Sequence, residues 1–301
     1  MQPNDPSEAP ITQAEKARRF RALHATGAGF IIPNPWDPGS ARLLTSLGFS
    51  ALATTSAGFA FSRGLPDGDT SRESLMQHLG ELSASTHLPI SADLLNGFGP
   101  QPDDAARCII DAASQGVVGG SIEDSTGDDA SPIMDISQAV ERVTAAAEAA
   151  RSLPFPFTLT ARAENHFFGI HKLDDTIRRL IAFQEAGADV LFAPGLARRE
   201  DIAEVLKAID RPLNVLIGAP GMSLTAQELL DMGVRRISVG GSLARAALGA
   251  LMSAATELRD LGSTHYNQSA MRGSALNKLF RDQGSAPHTS HVSQTTSAQA
   301  G

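Results

Sequence analysis

The chain of 301 residues contains a single cysteine and few aromatic side chains. One cysteine excludes a framework of intramolecular disulfides and is typical of a reducing compartment. Cys108 stands beside Ile109 and Ile110 in a helical pattern, away from the predicted strand ends. We therefore interpret it as core packing rather than as a nucleophile. Because aromatic residues make up only 5% of the chain, alanine, leucine, valine and isoleucine must fill the interior.

Clusters of positive charge and long apolar runs are also missing. The formal net charge is −8 and lysine and arginine form no cluster, which argues against a nucleic-acid surface. No apolar run approaches the ~20 residues of a membrane span. The first ten residues have neither a basic start nor an apolar segment, so they do not read as a secretory signal. We expect a cytoplasmic protein that binds neither nucleic acid nor membranes.

Polar, low-complexity segments stand at both ends. Residues 1–14 are rich in proline and polar residues, and residues 284–301 consist largely of serine, threonine and glutamine. We expect both segments to be disordered. His288 and His291 lie in the second segment, and we interpret them as solvated residues because a metal site would need more ligands nearby.

Between these segments, strand-like and helix-like runs alternate eight times. The predicted strands are 29–33, 51–55, 89–94, 117–122, 157–161, 190–193, 213–217 and 236–239. The predicted helices are 40–47, 71–85, 103–115, 136–151, 174–186, 199–209, 225–232 and 242–261. Eight alternations favour a (β/α)8 barrel over residues 15–262, with a helical extension over 263–283. A dinucleotide-binding sheet is disfavoured because no GxGxxG motif opens a helix after a strand.

Three short strings, at 91–99, 119–125 and 158–166, each end a predicted strand on charged or amide residues. In a parallel barrel the carboxyl ends of the strands converge on one mouth, which is where such enzymes carry their active sites. Asp93, Glu123 and Arg162 should therefore lie close together, and Asp67 follows strand two. Carboxylates at this place either hold a hard divalent cation such as Mg2+ or exchange protons. The alternative is that they cap helices or pair with arginines.

Arg162 ends an otherwise apolar strand, where a guanidinium needs a carboxylate partner. That partner is a substrate carboxylate or phosphonate, or else Glu123 or Glu164 of the chain itself. Residues 54–59 form a predicted loop whose hydroxyls and backbone N–H groups suit a carboxylate. Asn214 lies inside a predicted strand and is a candidate for contact with the substrate, and His166 is a candidate acid or base or an ordinary loop residue.

The order of these motifs resembles the isocitrate lyase/phosphoenolpyruvate mutase superfamily, in its mutase-like branch. The resemblance covers residues 18–262 and rests on Asp67, on Ser-Ala-Asp93 with the following Gly-Phe-Gly, on Ser-Ile-Glu123-Asp and on Thr-Ala-Arg162. It implies a Mg2+-dependent (β/α)8 barrel that makes or breaks a C–C or C–P bond next to the carboxylate of a 2-oxo or 2-hydroxy acid. The shared intermediate of the family is an enolate of pyruvate type.

The resemblance also implies roles for single residues. Asp93 and Glu123 would hold Mg2+, and Arg162, Glu123 and Asp67 would form the catalytic set, with Asp67 in the outer shell of the metal. Arg162 would bind the substrate carboxylate and the enolate oxygen. The substrate would also be held by Thr55, Ser56, Ala57 and, from the reasoning on strand seven, Asn214. The family often exchanges its last barrel helix between subunits, which implies a homotetramer built as a dimer of dimers.

Two departures from the family pattern bear on the reaction. Ser91 stands where the family commonly has a metal-touching aspartate. The loop 123–132 contains neither the cysteine-bearing string of the lyases nor the Lys-Thr-Asn-Ser string of the mutase. We therefore predict a lyase that cleaves a C–C bond in a 2-oxo or 2-hydroxy diacid, similar to oxaloacetate decarboxylase or methylisocitrate lyase. The alternatives are C–P bond chemistry on phosphonopyruvate or phosphoenolpyruvate, and a non-catalytic barrel that binds a dicarboxylate.

Overall fold

The computed structural model of the protein describes residues 11–219 and 221–283. The predictions for residues 1–10 and for the segment 284–301, including its two histidines, lie outside these ranges. The strands are Phe30–Ile32 (β1), Leu52–Ala53 (β2), Ile90–Asp93 (β3), Gly119–Glu123 (β4), Thr158–Arg162 (β5), Val190–Phe192 (β6), Leu213–Leu216 (β7) and Arg236–Ser238 (β8). The helices are Gln13–Ala25 (α1), Pro38–Ser46 (α2), Ser56–Ser62 (α3), Arg72–Ser85 (α4), Pro102–Ser114 (α5), Ile136–Ser152 (α6), Leu173–Glu185 (α7), Arg199–Ala208 (α8), Ala226–Asp231 (α9), Ser242–Leu261 (α10) and Gly273–Gln283 (α11).

The eight strands form one parallel sheet in the order β1-β8-β7-β6-β5-β4-β3-β2. The N–H of Ala53 donates to the carbonyl of Pro33 over 3.1 Å, which joins the two end strands and closes the ring. The (β/α)8 barrel is therefore confirmed. Every predicted strand and every predicted barrel helix overlaps an observed one, whereas α1 and α3 were not predicted.

Helix α1 packs across the end of the barrel at which the strands begin. Ala17 and Phe20 share a buried cluster with Ile32, Ala51 and Val118. Phe20 approaches the start of β4 so closely that a Cβ on Gly119 would lie 2.8 Å from its Cε1 atom. A glycine at this position therefore admits the ring that covers this end of the barrel. The helix begins at Gln13, inside the segment expected to be disordered.

The prediction of a loop over residues 54–59 is wrong, because α3 begins at Ser56. Thr55 is the N-cap, and its side-chain oxygen accepts a hydrogen bond of 3.2 Å from the N–H of Gly58. Capping by a threonine is a helix-starting signal that the loop interpretation overlooked. Gly58 is needed for close packing, since a Cβ there would lie 2.7 Å from Thr55 and 3.0 Å from Trp36.

Side chains alternate across the strands, as the pleat requires. Apolar residues such as Leu159, Leu191 and Ile237 belong to the main hydrophobic core. Cys108 is completely buried in the same core and burial raises the pKa of its thiol to about 12, which confirms the packing role. The intervening strand residues are polar and buried, and they face the interior of the barrel: Ser91, Ser121, Thr160, Asn214 and Ser238.

After the barrel, a short 3₁₀ helix (His265–Gln268) and α11 follow α10. No helix within the described part of the chain is both long and apolar enough to span a membrane.

Candidate active site

The charged ends of three neighbouring strands meet at the mouth of the barrel. Asp93, Glu123 and Arg162 are the last residues of β3, β4 and β5. The register places Glu123 directly beside Arg162. The structure thus brings together three of the residues predicted for the site.

The guanidinium of Arg162 lies between three carboxylates. Nη1 is 2.9 Å from Asp93 Oδ1, and Nη2 is 3.1 Å from Glu123 Oε2. Nε donates to Glu164 Oε1 over 2.8 Å. The guanidinium carbon also lies 5.2 Å from the centre of the Phe192 ring, within cation–π range. The pairing of Arg162 with Glu123 and Glu164, raised as an alternative from the sequence, is therefore present.

Burial and neighbouring charges shift the pKa values of the groups in this cluster. The side chain of Glu164 is 1% exposed, and burial raises its pKa to about 8 despite the nearby arginine. Burial also raises the pKa of Glu123. The pKa of Arg162 is raised by Glu164, Glu123 and Asp93, which outweigh the opposing effect of its burial. Even with Glu164 protonated, the two acids Asp93 and Glu123 face one guanidinium, so the acids of the mouth outnumber the positive charge.

Asp67 reaches the cluster through Ser56. The N–H of Ser56 donates to Asp93 Oδ2 over 3.0 Å, and its hydroxyl donates to Asp67 Oδ1 over 3.3 Å. Burial, and next the charge of Asp93, raise the pKa of Asp67. The N–H of Asp93 itself donates to the hydroxyl of Thr54 over 2.8 Å. The start of α3 therefore holds both aspartates in place.

The remaining predicted substrate contacts have partners within the protein or lie at the helix start. Thr55 uses its hydroxyl as the N-cap, and Ala57 follows in the first turn of α3. Asn214 is 1% exposed; its oxygen accepts a 2.9 Å hydrogen bond from Arg236 and its amide donates to Ser238 over 3.0 Å. In this arrangement Asn214 holds neighbouring strands together inside the barrel.

The loop after β4 contributes a hydroxyl to the site. Ser125 donates to Glu123 Oε1 over 2.7 Å and forms a β-bridge with Ile133 across the loop. Asp124 turns away from the mouth, accepts the N–H of Glu164 over 2.8 Å and pairs with Arg179 at 2.9 Å. This pair therefore fixes the backbone that carries Glu164.

The loop after β3 has an unusual backbone that is fixed from outside. Leu95 and Phe98 adopt left-handed conformations with φ of 52° and 61°, which are uncommon for residues other than glycine. Arg142 on α6 is 1% exposed and donates to three carbonyls of this loop, those of Asn96, Gly99 and Gln101.

His166 lies on the loop between β5 and α7 and is 8% exposed. Its ring centre is 5.4 Å from that of His171, and its Nε2 has no hydrogen-bond partner among the described residues. Burial, and then the charge of His171, lower its pKa. Among the described residues, no hydrogen bond or ion pair joins the His166 ring to Arg162, Asp93 or Glu123.

The donor chemistry of the cluster fits a magnesium-type site made of two protein carboxylates. Within residues 11–219 and 221–283, no three acidic, histidine or cysteine side chains converge as a closed cage for a metal. Mg2+ does not need such a cage, since it commonly uses one or two carboxylates together with waters and substrate oxygens. Asp93 and Glu123 supply two such carboxylates, and the negative excess around Arg162 favours a cation.

Glu164 was considered from the sequence as a partner of Arg162, two residues earlier, and the structure shows that ion pair. Two other residues that shape the site were not predicted from the sequence. Arg142 and Arg179 lie on α6 and α7, with no local pattern that marks them, and only the fold brings them to the loops at the mouth.

Comparisons with known proteins agree with this geometry. Residues 20–259 match the family model described as phosphoenolpyruvate phosphomutase. A crystal structure of a lyase/mutase candidate from Burkholderia cenocepacia J2315 is 54% identical, with a TM-score of 0.87, and the match covers 89% of this chain and 96% of that one. The structure of 2,3-dimethylmalate lyase is 27% identical, with a TM-score of 0.78 and coverage of 89% and 94%. Oxaloacetate decarboxylase from Bradyrhizobium diazoefficiens is 28% identical, with coverage of 91% and 92%.

The family model matches most of the chain, and the barrel carries the strand-end acids and the strand-five arginine in the expected order. The chain therefore belongs to the phosphoenolpyruvate phosphomutase family and is an enzyme of the isocitrate lyase/phosphoenolpyruvate mutase superfamily.

Proposed function

We propose that the protein is a Mg2+-dependent lyase that cleaves a C–C bond in a small 2-oxo or 2-hydroxy diacid through an enolate of pyruvate type. The observation that carries this proposal is the position of Arg162, whose guanidinium lies at the centre of the mouth among Asp93, Glu123 and Glu164. A planar guanidinium is suited to a substrate carboxylate and to the oxygen on which negative charge develops during cleavage.

Each residue of the cluster has its own role in this proposal. Glu164 anchors Nε of Arg162 from behind, which leaves Nη1 and Nη2 directed towards the acids at the mouth. A substrate carboxylate would take the place of these acids on the two Nη atoms. Asp93 and Glu123 would hold the divalent cation, which supplies Lewis-acid stabilisation of the developing charge when bound. Asp67 and Ser56 keep Asp93 oriented.

The loop after β4 favours decarboxylation over cleavage that needs a protein base. Its side chain next to Glu123 is the neutral hydroxyl of Ser125, and the string 124–132 contains no lysine, histidine or cysteine. Decarboxylation of a 2-oxo diacid places little demand on a protein base, because the leaving carboxylate supplies the electron pair of the enolate. The similar proteins named oxaloacetate decarboxylase and 2,3-dimethylmalate lyase support cleavage of a C–C bond in a small diacid.

The experiment is a substrate panel with purified protein and Mg2+. We expect release of pyruvate from oxaloacetate, or release of a 2-oxo acid from a 2-alkylmalate, above the rate of Mg2+ without protein. Chelation with EDTA should abolish the release. Phosphonopyruvate belongs in the panel, with phosphorus NMR as the readout. Phosphate release or rearrangement there, without turnover of any diacid, would overturn the proposal in favour of C–P bond chemistry.

The second part of the proposal concerns assembly as a dimer of dimers with an exchanged α10. Of the 20 residues of α10, Ala244 is buried, whereas Leu251 and Met252 are 63% and 68% exposed. A long helix with exposed leucines and methionine is typical of a protein–protein interface. The occupant of this face would be a second copy of the chain, as the family resemblance implies.

Light scattering coupled to size exclusion tests the assembly. The wild-type protein should elute as a tetramer, and Leu251→Glu should reduce the mass to that of a smaller species. Ile110→Glu on α5 is the matched control, because Ile110 is an exposed apolar residue of the barrel wall. A monomeric wild type, or an unchanged mass for L251E, would contradict the exchange.

A further inference from the structure

Arg236 is an arginine inside the barrel that the proposed reaction does not use. It begins β8 and is 3% exposed. Its Nε donates to Asn214 Oδ1 over 2.9 Å, and its Nη1 donates to the hydroxyl of Thr160 over 3.0 Å. Both acceptors are neutral, so these hydrogen bonds do not compensate the charge of the guanidinium.

The surroundings of Arg236 add positive charge rather than negative charge. Among the described residues, no carboxylate oxygen lies within ion-pair distance of its guanidinium. Burial, and next the charge of Arg162, lower its pKa to about 9, so it remains protonated at neutral pH. The charge of Arg236 in turn acts on His24, whose pKa burial and then Arg236 lower to about 3. Arg236 is therefore a buried cation whose titratable neighbours are an arginine and a neutral histidine.

Two hydrogen-bond donors near this cation have no partner among the described residues. Nη2 of Arg236 makes no hydrogen bond with a described residue, and this atom keeps some accessible surface. The hydroxyl of Thr158 is fully buried and unpaired. Thr158 and Thr160 are two apart in β5, so Thr158 points to the same face of the strand as the threonine that binds Arg236.

We infer that Arg236 and Thr158 bind a small inorganic anion such as chloride inside the barrel, below the Arg162 cluster. An uncompensated buried charge is strongly unfavourable, and a counter-ion removes that penalty. An organic diacid fits this place less well. Along β5, Thr160 and Arg162 with its acids lie between Thr158 and the mouth, and those acids would repel a dianion. The inference is independent of the reaction proposed for the mouth.

His24 limits what the space can hold beside the anion. Its Nδ1 donates to the carbonyl of Phe20 over 2.9 Å, so the unpaired Nε2 is an acceptor. A water molecule could donate to this nitrogen, whereas an anion could not bind there. The anion is therefore assigned to the side of Arg236 and Thr158.

Crystals grown or soaked in bromide give the direct test, since bromide replaces chloride and is identified by its anomalous scattering. We expect an anomalous peak within contact distance of Nη2 of Arg236 and the Thr158 hydroxyl. A fully occupied water with no anomalous signal there would overturn the inference. Density for oxalate at this place, from crystals soaked in oxalate without halide, would assign the site to a carboxylate. That result would overturn the inference that the site binds a halide.

Thermal unfolding in chloride and in gluconate, at equal ionic strength, gives a second test in solution. The wild-type midpoint should be about 2 °C higher in chloride, because a ligand that binds the folded state stabilises it. Arg236→Met should lose this difference, whereas Arg211→Met should keep it, since Arg211 is an exposed arginine whose charge acts on Asp189 and not on Arg236. Equal midpoints in both salts for the wild type would contradict the site, even if R236M fails to fold.

The same experiments separate this site from the reaction. A bromide peak in a protein that turns over no diacid would leave the anion site intact and remove the proposed function. Turnover of oxaloacetate without any halide effect would do the reverse.

Discussion

Glu164 Oε1 lies 2.8 Å from Nε of Arg162, two residues earlier in the chain. The contact joins the most deeply buried acid of the mouth to the guanidinium at its centre. Asp124 and Arg179 hold Glu164 from behind, so the position of Arg162 depends on residues that would never touch a substrate. The orientation of the guanidinium is therefore set by the acid nearest to it in the chain.

Replacement of Arg162 by methionine should abolish turnover, because no other guanidinium lies among the mouth acids of the described chain. The variant should also lose about 3 kcal/mol of unfolding free energy, since the largely buried acids Asp93 and Glu123 lose their counter-ion. Steady-state kinetics and urea unfolding measure the two effects. Arg211→Met, at an exposed arginine, is the matched control, and wild-type kinetics in R162M would remove Arg162 from the site.

Glu164→Gln should change the pH dependence of stability. The pKa of Glu164 in the folded protein is about 8, above its ordinary value of 4.5. The folded state therefore holds a proton that the unfolded state releases, and this group's contribution to stability falls as the pH rises from about 4.5 to about 8. E164Q cannot titrate, so its unfolding free energy should decline less than that of the wild type across this window. Urea unfolding at several pH values measures the difference. The exposed control Glu148→Gln should follow the wild type, and parallel curves for E164Q would contradict the shift.

The metal role of Glu123 predicts a weaker Mg2+ dependence for Glu123→Gln. The amide keeps the size of the side chain but loses the charge that attracts the cation. We expect the Mg2+ concentration for half-maximal turnover to rise at least about tenfold, which corresponds to a loss of about 1.4 kcal/mol in metal binding. Asp129→Asn, at an exposed aspartate of the following loop, should leave the titration unchanged. A wild-type titration for E123Q would exclude Glu123 as a ligand.

Cys108→Ser should reduce stability without affecting turnover. The thiol is fully buried on α5, and a serine hydroxyl there would replace apolar packing at a loss of about 1–2 kcal/mol. Because the pKa of the thiol is raised to about 12, iodoacetamide should label the native protein very slowly and the denatured protein readily. A folded but inactive C108S variant would show that the cysteine does more than pack.

Gly119→Ala tests how α1 covers the barrel. The added Cβ would meet Phe20 Cε1 at 2.8 Å and the backbone oxygen of Thr158 at 2.9 Å. The ring can move but the strand oxygen cannot, so we expect a loss of about 1–3 kcal/mol in urea unfolding. Gly273→Ala at the start of α11 is the control, because a Cβ there meets no atom within 4 Å. Equal stability of G119A and the wild type would show that Phe20 and the backbone of β5 accommodate a Cβ at this position without cost.

Much of the architecture could be predicted because its signals are local. The alternation of apolar strands with amphipathic helices recurs along the chain, and parallel pairing follows from that alternation. Two helices were not predicted, for different reasons. Helix α1 lies outside the alternating pattern, and α3 starts at a threonine cap within a run of small residues that resembles a turn.

The residues that form the site, and the pairs that they make, could be predicted only in part. Asp93, Glu123 and Arg162 could be placed together because parallel strands end at one mouth. Their pairing could not, since an arginine at a strand end can face a substrate or an acid of its own chain. The structure gives all three guanidinium nitrogens of Arg162 carboxylate partners within the chain.

The sequence by itself determined the barrel, the order of its strands and the chemical types at its mouth, because each depends on short-range patterns and on the rules of parallel sheets. Only the tertiary structure decided which charges touch, that Asn214 binds Arg236 rather than facing the mouth, and that Arg142 and Arg179 brace the loops. These contacts join residues from 22 to 55 positions apart in the chain. Local propensity says nothing about such distances, and packing in the folded barrel settles them.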